Sequence, residues 1–257
     1  MFDFRKIKGD HLFRDIGEDT RSKVVENIIE ASTPRKSFFV MIAVASLLCT
    51  AGLLMDSVAL IIGAMLIAPM LSAILSLSLG LVARSAKLSY RSFLVVFKAF
   101  LLLFIAGFAI AMLFQTSQSF AYEFFLKNDF QLEIFVIALI VGFAASLSFI
   151  RKELSQYVTG TAIAVTLIPP VSVAAIALRM GHLDHFLDAL WIFWINFVGI
   201  TISSMAVFIA TKFHHSHARV LKELKEEEKF LDKLSRQERI KKWLREGVDL
   251  LLRRMKK

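Results

Sequence analysis

Prolines interrupt two otherwise apolar stretches of the sequence, which lie one hundred positions apart. Pro69 stands in the run 57–81, and Pro169 and Pro170 stand in the run 157–178. A proline inside a helix removes a backbone donor and obstructs the preceding turn, so it frees carbonyl oxygens. In a lipid interior those oxygens must bond other protein groups or water in a cavity. The prolines therefore predict either simple kinks or breaks that line a polar site.

The polar side chains near these prolines are hydroxyls and one amide. Half-helix N-termini favour anions and freed carbonyls favour cations, so the sign of a bound ion or solute stays open. Asn196 is costly to leave unpaired in lipid, so it is expected to face other helices, where it bonds a carbonyl freed by Pro169 or contacts a substrate. The candidate pathway residues are Gly63, Pro69, Ser72, Thr166, Pro169, Pro170, Ser172 and Asn196.

Small residues recur every four positions along the first proline-containing run, and part of the pattern repeats in the second. Such spacing lets another backbone approach closely, and it predicts a packing face, most simply between the two interrupted helices. The hydroxyls beside a break could also face a substrate. The predicted packing residues are Ala64, Ala68, Ser76, Gly80, Gly160 and Ala164.

The composition predicts an all-α integral membrane protein. Of the 257 residues, 56% are hydrophobic, and several apolar runs approach the 20 residues that cross a bilayer. Helices are predicted at about 34–54, 57–83, 92–114, 133–150, 157–179 and 187–211. Segment 1–33, with an amphipathic piece at 19–31, is expected to lie at the membrane surface or against the helices. Segment 115–132 connects the halves, and 212–257 is a charged helical tail.

Lysine and arginine lie mainly on one side of this arrangement. The first 37 residues, the loops after the second and fourth helices, and the tail hold 28 of the 31. The positive-inside rule then predicts a multi-pass protein of the cell inner (plasma) membrane, with both termini in the cytoplasm. Each half, 34–114 and 133–211, has three helices, an odd number, so the halves are inverted repeats. Many secondary transporters have this architecture, with sites where broken helices meet.

Several classes of protein are disfavoured by what the chain lacks. The span interiors contain no Asp, Glu or His, and Lys98, two turns into the third span, can snorkel, so a carboxylate proton relay is not expected. No Walker, zinc-protease or nucleophile-elbow motif supports an enzyme. His214, His215 and His217 lack companion ligands, so no metal or cofactor is predicted. The net charge of +9 lies at membrane edges, which favours a bilayer over nucleic acid.

Two functions remain open from the residues alone. The first is a transporter or channel for a small solute or ion, with its site between the second and fifth helices and homo-oligomerisation expected. The second is a membrane scaffold or sensor whose helices anchor and oligomerise the tail.

The segments SVALIIGAMLIAPM, TAIAVTLIPPVSVA and WINFVGI resemble the prokaryotic membrane family named domain of unknown function 389. The resemblance runs from about residue 32 to residue 213. Asp56 stands where the family pattern has Asn. What the resemblance implies is a shared membrane core, and it carries no catalytic residue or substrate with it.

Overall fold

The computed structural model describes residues 17–114, 131–151, 167–227 and 229–230 of the chain. Within these ranges the regular structure is helical, without strands. The elements are α1 (Glu18–Ala31), α2 (Lys36–Leu54), α3 (Val58–Ile67), α4 (Met70–Val82), α5 (Ala86–Leu113), α6 (Gln131–Ile150), α7 (Ile168–Met180), α8 (Leu183–Ala210), a 3₁₀ turn (Phe213–His215) and α9 (217–227).

Four helices, α2, α5, α6 and α8, are long and apolar enough to cross a membrane, and α3 with α4 makes a fifth if the bent pair counts as one span. The predicted fifth span, 157–179, is described only from residue 167 onward, as the 13-residue helix α7. The structure therefore contains four to five candidate spans in its described part, against six predicted for the whole chain.

The two long helices α5 and α8 begin earlier than their apolar patterns predict. The Ser85 hydroxyl accepts a hydrogen bond from the Leu88 amide, so α5 begins at Ala86 and not near residue 92. Gly181 closes α7 in a left-handed conformation (φ 78°), and α8 begins two residues later. Both helices are 28 residues long because capping and turn residues, which apolar periodicity does not reveal, set their starts.

The centre of the bundle is formed by two short helices. Every residue from 70 to 80 in α4 and from 168 to 177 in α7 is buried. Helix α4 packs on both α5 and α8, and α7 also packs on both α5 and α8. The long helices present large apolar side chains outward, among them Leu101, Ile105, Ile140 and Trp191. This arrangement suits a lipid exterior, since a soluble monomer rarely exposes such continuous apolar surface.

Helix α1 lies against the bundle, which was one of the two positions expected for the amphipathic piece. Val24, Val25, Ile28 and Ile29 are all buried. They occupy one side of α1, which contacts α4 and α6. The hydrophobic effect therefore holds this N-terminal helix beside the first short central helix.

Candidate functional site

The break at Pro69 is a true interruption of the helix. Helix α3 ends at Ile67, Ala68 is extended (φ −78°, ψ 124°), and α4 begins at Met70. The two axes differ by 45°. The cause is local, because a residue before proline avoids the helical conformation and proline itself has no N–H to donate.

The prolines of the second stretch lie at the beginning of a helix in the described structure. Helix α7 has Pro169 and Pro170 in its first turn, where their missing N–H groups cost no intrahelical hydrogen bond. Three predicted residues of this region, Gly160, Ala164 and Thr166, lie outside the described residues. The helix on the far side of this break therefore stays a prediction.

Ser72 connects the first break to α1. Its Oγ lies 2.8 Å from the carbonyl oxygen of Pro69 and 2.9 Å from that of Ala31, the last residue of α1. One hydroxyl hydrogen can serve either acceptor. A carbonyl at the break is thus satisfied by protein, as in the simple-kink interpretation. Gly63, one turn before the break, is half-buried and has open space beside its Cα.

The C-terminal part of the small-residue ladder, Ser76 and Gly80, packs against α5. The Ser76 hydroxyl accepts a hydrogen bond from Ser92 of α5 at 2.9 Å, and a Cβ on Gly80 would lie 2.8 Å from the Ser89 amide nitrogen. Ser76 and Gly80 therefore face α5, whereas Gly160 and Ala164, the ladder residues predicted on the second interrupted helix, lie outside the described residues. The physical reason is the tight connection after Val82, which folds α5 back along α4. In the N-terminal part of the ladder, Ala64 is buried and Ala68 is half-buried. Helix α3, which carries Ala64, contacts α7.

Asn196 faces the interior of the bundle, as its cost in lipid predicts. It is 2% exposed, and its Nδ2 donates to the carbonyl of Ile192, one turn earlier in α8, at 3.1 Å. This bond holds the amide against its own helix.

A second polar cluster, absent from the sequence-based predictions, joins α2, α5 and α7 around Gly107. A Cβ on Gly107 would lie 2.9 Å from Thr50 Oγ1 and 3.2 Å from Ser46 Oγ. The Ser46 hydroxyl donates to the carbonyl of Leu103 at 2.5 Å. A possible signal was the four-residue spacing of Ser46 and Thr50 on one helix, with a glycine in a neighbouring apolar span.

Two hydroxyls in this cluster are buried without a full hydrogen bond. Thr50 Oγ1 and Ser172 Oγ have no partner of normal geometry among the described residues, although Ser172 interacts with the thiol of Cys49. Thr50 and Cys49 are 0% exposed and Ser172 is 1% exposed. A buried hydroxyl without a partner is costly, so this cluster is a candidate for contact with water or a solute in another conformation.

The start of the charged tail is an ordered part of the fold. The Glu227 carboxylate accepts hydrogen bonds from both terminal nitrogens of Arg91 and from the Thr33 hydroxyl. Arg219 forms an ion pair of 2.9 Å with Glu18 of α1. On α9, Val220 and Leu224 are fully buried. These contacts fasten α9 to α1 and to the beginning of α5.

His217, which follows α8, has a structural contact. His217 Nδ1 lies 2.9 Å from the carbonyl oxygen of Ala83, after the end of α4. Across the described ranges, no three His, Cys, Asp or Glu side chains lie close enough together to hold a metal ion.

Long apolar helices around two short buried ones are the features of a multi-pass helical membrane protein. The chain belongs to the family described as Domain of unknown function (DUF389), whose family model matches residues 65–202. This match confirms the family suggested by the proline-containing segments. The chain is also 29% identical, over 181 residues, to an uncharacterized protein of Methanocaldococcus jannaschii.

That alignment covers 68% of this chain and 54% of the archaeal protein. The chain thus spans about half the length of the curated relative it matches. No solved structure matches the chain.

Proposed function

We propose that this protein is a transporter or channel for a small solute or ion, with its pathway along α4 and α7. The observation that carries the proposal is the central position of these two short helices. Each has 13 residues; Pro69 directly precedes α4, and Pro169 and Pro170 lie in the first turn of α7. At about 1.5 Å per residue, such a helix covers about 20 Å of a hydrocarbon layer of about 30 Å. Its terminal backbone groups therefore lie within the membrane, where only protein or a water-lined cavity can satisfy them.

An inverted repeat is supported by where equivalent serines lie. Ser72 reaches Ala31, just before the start of α2, whereas Ser172 interacts with Cys49, near the end of α2. Residues one hundred positions apart thus lie toward opposite ends of one helix. The lengths also correspond, since α4 and α7 have 13 residues each and α5 and α8 have 28 each.

In this proposal, segment 152–166 supplies the half-helix that pairs with α7. The chain then crosses the plasma membrane six times, with both termini on the lysine- and arginine-rich cytoplasmic side. We expect the two breaks to meet near the middle of the membrane, where the two interrupted helices of an inverted repeat form a site.

The groups along the proposed pathway are uncharged dipoles, not ionised side chains. Serine and threonine hydroxyls and freed carbonyls can bind a small neutral polar solute or a monovalent ion, and the sign of the ion stays open. The proposed role is transport and not catalysis, because the clusters pair no nucleophile with a base.

Flux from reconstituted liposomes tests the proposal. The purified chain is to be screened against a panel of monovalent ions, small acids, polyols and amino acids, with protein-free liposomes as the baseline. Thr50→Val should reduce the flux of any transported species, since valine keeps the shape and removes the buried hydroxyl. Ser148→Ala is the matched control, because the Ser148 hydroxyl bonds the Ala144 carbonyl of its own helix. Absence of flux across the panel, together with a Cys49 thiol that no small reagent reaches from either side, would refute the proposal.

A scaffold or sensor is the second candidate, and the attachment of α9 to α1 and α5 favours it. In that case the membrane helices anchor the tail, and a partner protein binds the tail. Removing residues 231–257 leaves the described contacts of α9 in place and discriminates between the two. Flux that survives the truncation supports transport, and loss of cellular phenotype with an intact, monodisperse core supports the scaffold.

A further inference from the structure

A groove of about 610 Å³ lies between the ends of α4 and α8. Its lining combines apolar side chains of both helices with two basic residues just beyond the helix ends, and consists of Leu81, Val82, Met205, Ile209, Arg84 and His214. We infer that the groove binds one anionic phospholipid, whose phosphate lies on Arg84 and one of whose acyl chains lies along α8. Such binding depends on the membrane location of the helices and not on transport.

Arg84 has a backbone conformation that favours glycine. Its φ is 54°, and it closes α4 in the way that glycine usually closes a helix. The Arg84 N–H bonds the Leu81 carbonyl, and the Ser85 N–H bonds the Gly80 carbonyl. A residue with a side chain is strained in this conformation. Because strained residues concentrate at ligand-binding and switch sites, the Arg84 side chain is a candidate for ligand contact.

The guanidinium of Arg84 is available for a ligand. Among the described residues its side chain has no hydrogen-bond or ion-pair partner, and Arg84 is exposed. The neighbouring basic residues differ, because Lys212 and His214 each have an interaction within the fold. One guanidinium can donate two parallel hydrogen bonds to a single phosphate, so Arg84 alone can hold a lipid headgroup.

The apolar side chains of the groove fit the remainder of the lipid. Met205 and Ile209 are one turn apart on the same side of α8, and they lead from its end toward the middle of the helix. Leu81 and Ile209 are large apolar side chains that stay exposed. An acyl chain beside them covers this surface, whereas a soluble anion would use the guanidinium and leave the surface uncovered.

The protein's own tail does not suit the groove. Residues 231–257 contain ten Lys and Arg against four Asp and Glu. A segment of that net charge is repelled by Arg84, whereas an anionic lipid is attracted.

Lipid retention by the full-length protein tests the inference. The protein is to be purified in detergent, equilibrated with equal amounts of phosphatidylglycerol and phosphatidylcholine, and examined by native mass spectrometry. Wild type should retain one phosphatidylglycerol in preference to phosphatidylcholine. Arg84→Gly should lower this retention about fivefold, the factor that corresponds to about 1 kcal/mol for one basic residue. Arg84→Lys keeps the charge but loses the paired donors, so its retention should lie between those of wild type and Arg84→Gly.

Arg84→Gly also separates binding from folding. Glycine relieves the strained turn, so thermal unfolding in lipid-free detergent should occur at or above the wild-type temperature. Lys212→Gly is the matched control, because Lys212 has the same left-handed conformation (φ 63°) just after α8 and does not line the groove. It removes a like charge at the same end of the bundle and should leave retention unchanged.

Equal retention of the two lipids by wild type, or unchanged retention by Arg84→Gly, would overturn the inference. Displacement of phosphatidylglycerol by millimolar inorganic phosphate or glycerophosphate would also overturn it, because the groove would then be a site for soluble anions. Retention that appears only after removal of residues 231–257 would assign the groove to the tail and overturn it as well.

Discussion

Arg91 of α5 bonds both carboxylate oxygens of Glu227 on α9, across 136 positions of sequence. The side chains are only 21% and 10% exposed, so this contact is better shielded from water than an ordinary surface ion pair. A paired-nitrogen geometry of this kind is among the stronger polar contacts in proteins. It makes the start of the tail part of the membrane domain.

Glu227→Gln should release α9 from the bundle. The substitution leaves the partly buried Arg91 without its charge partner, at an expected cost of about 1–3 kcal/mol. Hydrogen exchange should quicken across 217–227, while exchange in the centre of α5 stays as in wild type.

Glu226→Gln is the matched control for that experiment. Glu226 is 60% exposed and forms a 3.9 Å ion pair with Lys222 on the same helix. A pair of this kind contributes about 0.5 kcal/mol or less. Equal exchange rates in both variants would contradict a specific role for the Arg91–Glu227 contact.

Two glycine substitutions should have opposite effects on stability. Gly80→Ala places a methyl group 2.8 Å from the Ser89 backbone nitrogen and should destabilise the α4–α5 contact by about 1–3 kcal/mol. Gly63→Ala meets nothing within 4 Å and should stabilise α3 by about 0.5–1 kcal/mol. Thermal unfolding in detergent measures both. Stabilisation by Gly80→Ala would show that the close approach of α4 to α5 is absent.

Docking of α9 should strengthen as the pH falls, through Glu223. Burial, and next the nearby carboxylates of Glu226 and Glu26, raise the pKa of Glu223 above 4.5. A carboxyl group whose pKa is higher in the docked state binds its proton more tightly there. Its contribution therefore disfavours docking above the raised pKa, and this penalty is relieved as pH falls through that value toward 4.5.

Glu223→Gln should accordingly slow hydrogen exchange in α9 at neutral pH and flatten this part of the pH dependence. The Lys225→Gln variant, which alters a charge on an exposed neighbouring position, serves as the comparison. Weaker docking of the Glu223→Gln variant at neutral pH would show that the carboxylate makes a favourable contact.

Thr50→Val should separate packing from transport. Because the Thr50 hydroxyl is buried without a partner, its replacement by an isosteric methyl should leave stability equal to or above that of wild type. The same variant is expected to lower flux at least about tenfold, the effect of losing about 1.4 kcal/mol of solute contact. A stable variant with unchanged flux would assign the cluster around Gly107 to packing alone.

The thiol of Cys49, the single cysteine of the chain, reports on the same cluster without mutagenesis. In this structure the side chain is 0% exposed, so a small thiol reagent should label it slowly. Transported solute should change the rate, because a pathway open to this side must hydrate the cluster. A rate that is insensitive to every transported solute would place Cys49 away from the pathway.

Much of the architecture was determined by local chemistry that the sequence displays directly. The apolar run lengths predicted the candidate spans, and Pro69 predicted the break because its effect on backbone geometry does not depend on distant residues. The burial of Asn196 followed from the cost of an unpaired amide in lipid. The segments around the prolines also identified the family, which the match over residues 65–202 confirms.

Only the tertiary structure decided which surfaces meet. The small-residue ladder predicted close packing, most simply between the two interrupted helices. A small side chain permits approach by any helix, however, and the short turn after Val82 brings α5 against Ser76 and Gly80. The contacts of Gly107 with Thr50 and Ala175 join three helices far apart in sequence, and the Arg91–Glu227 contact spans more than half the chain. Long-range contacts of this kind depend on how rigid helices pack together, and no local pattern encodes that packing.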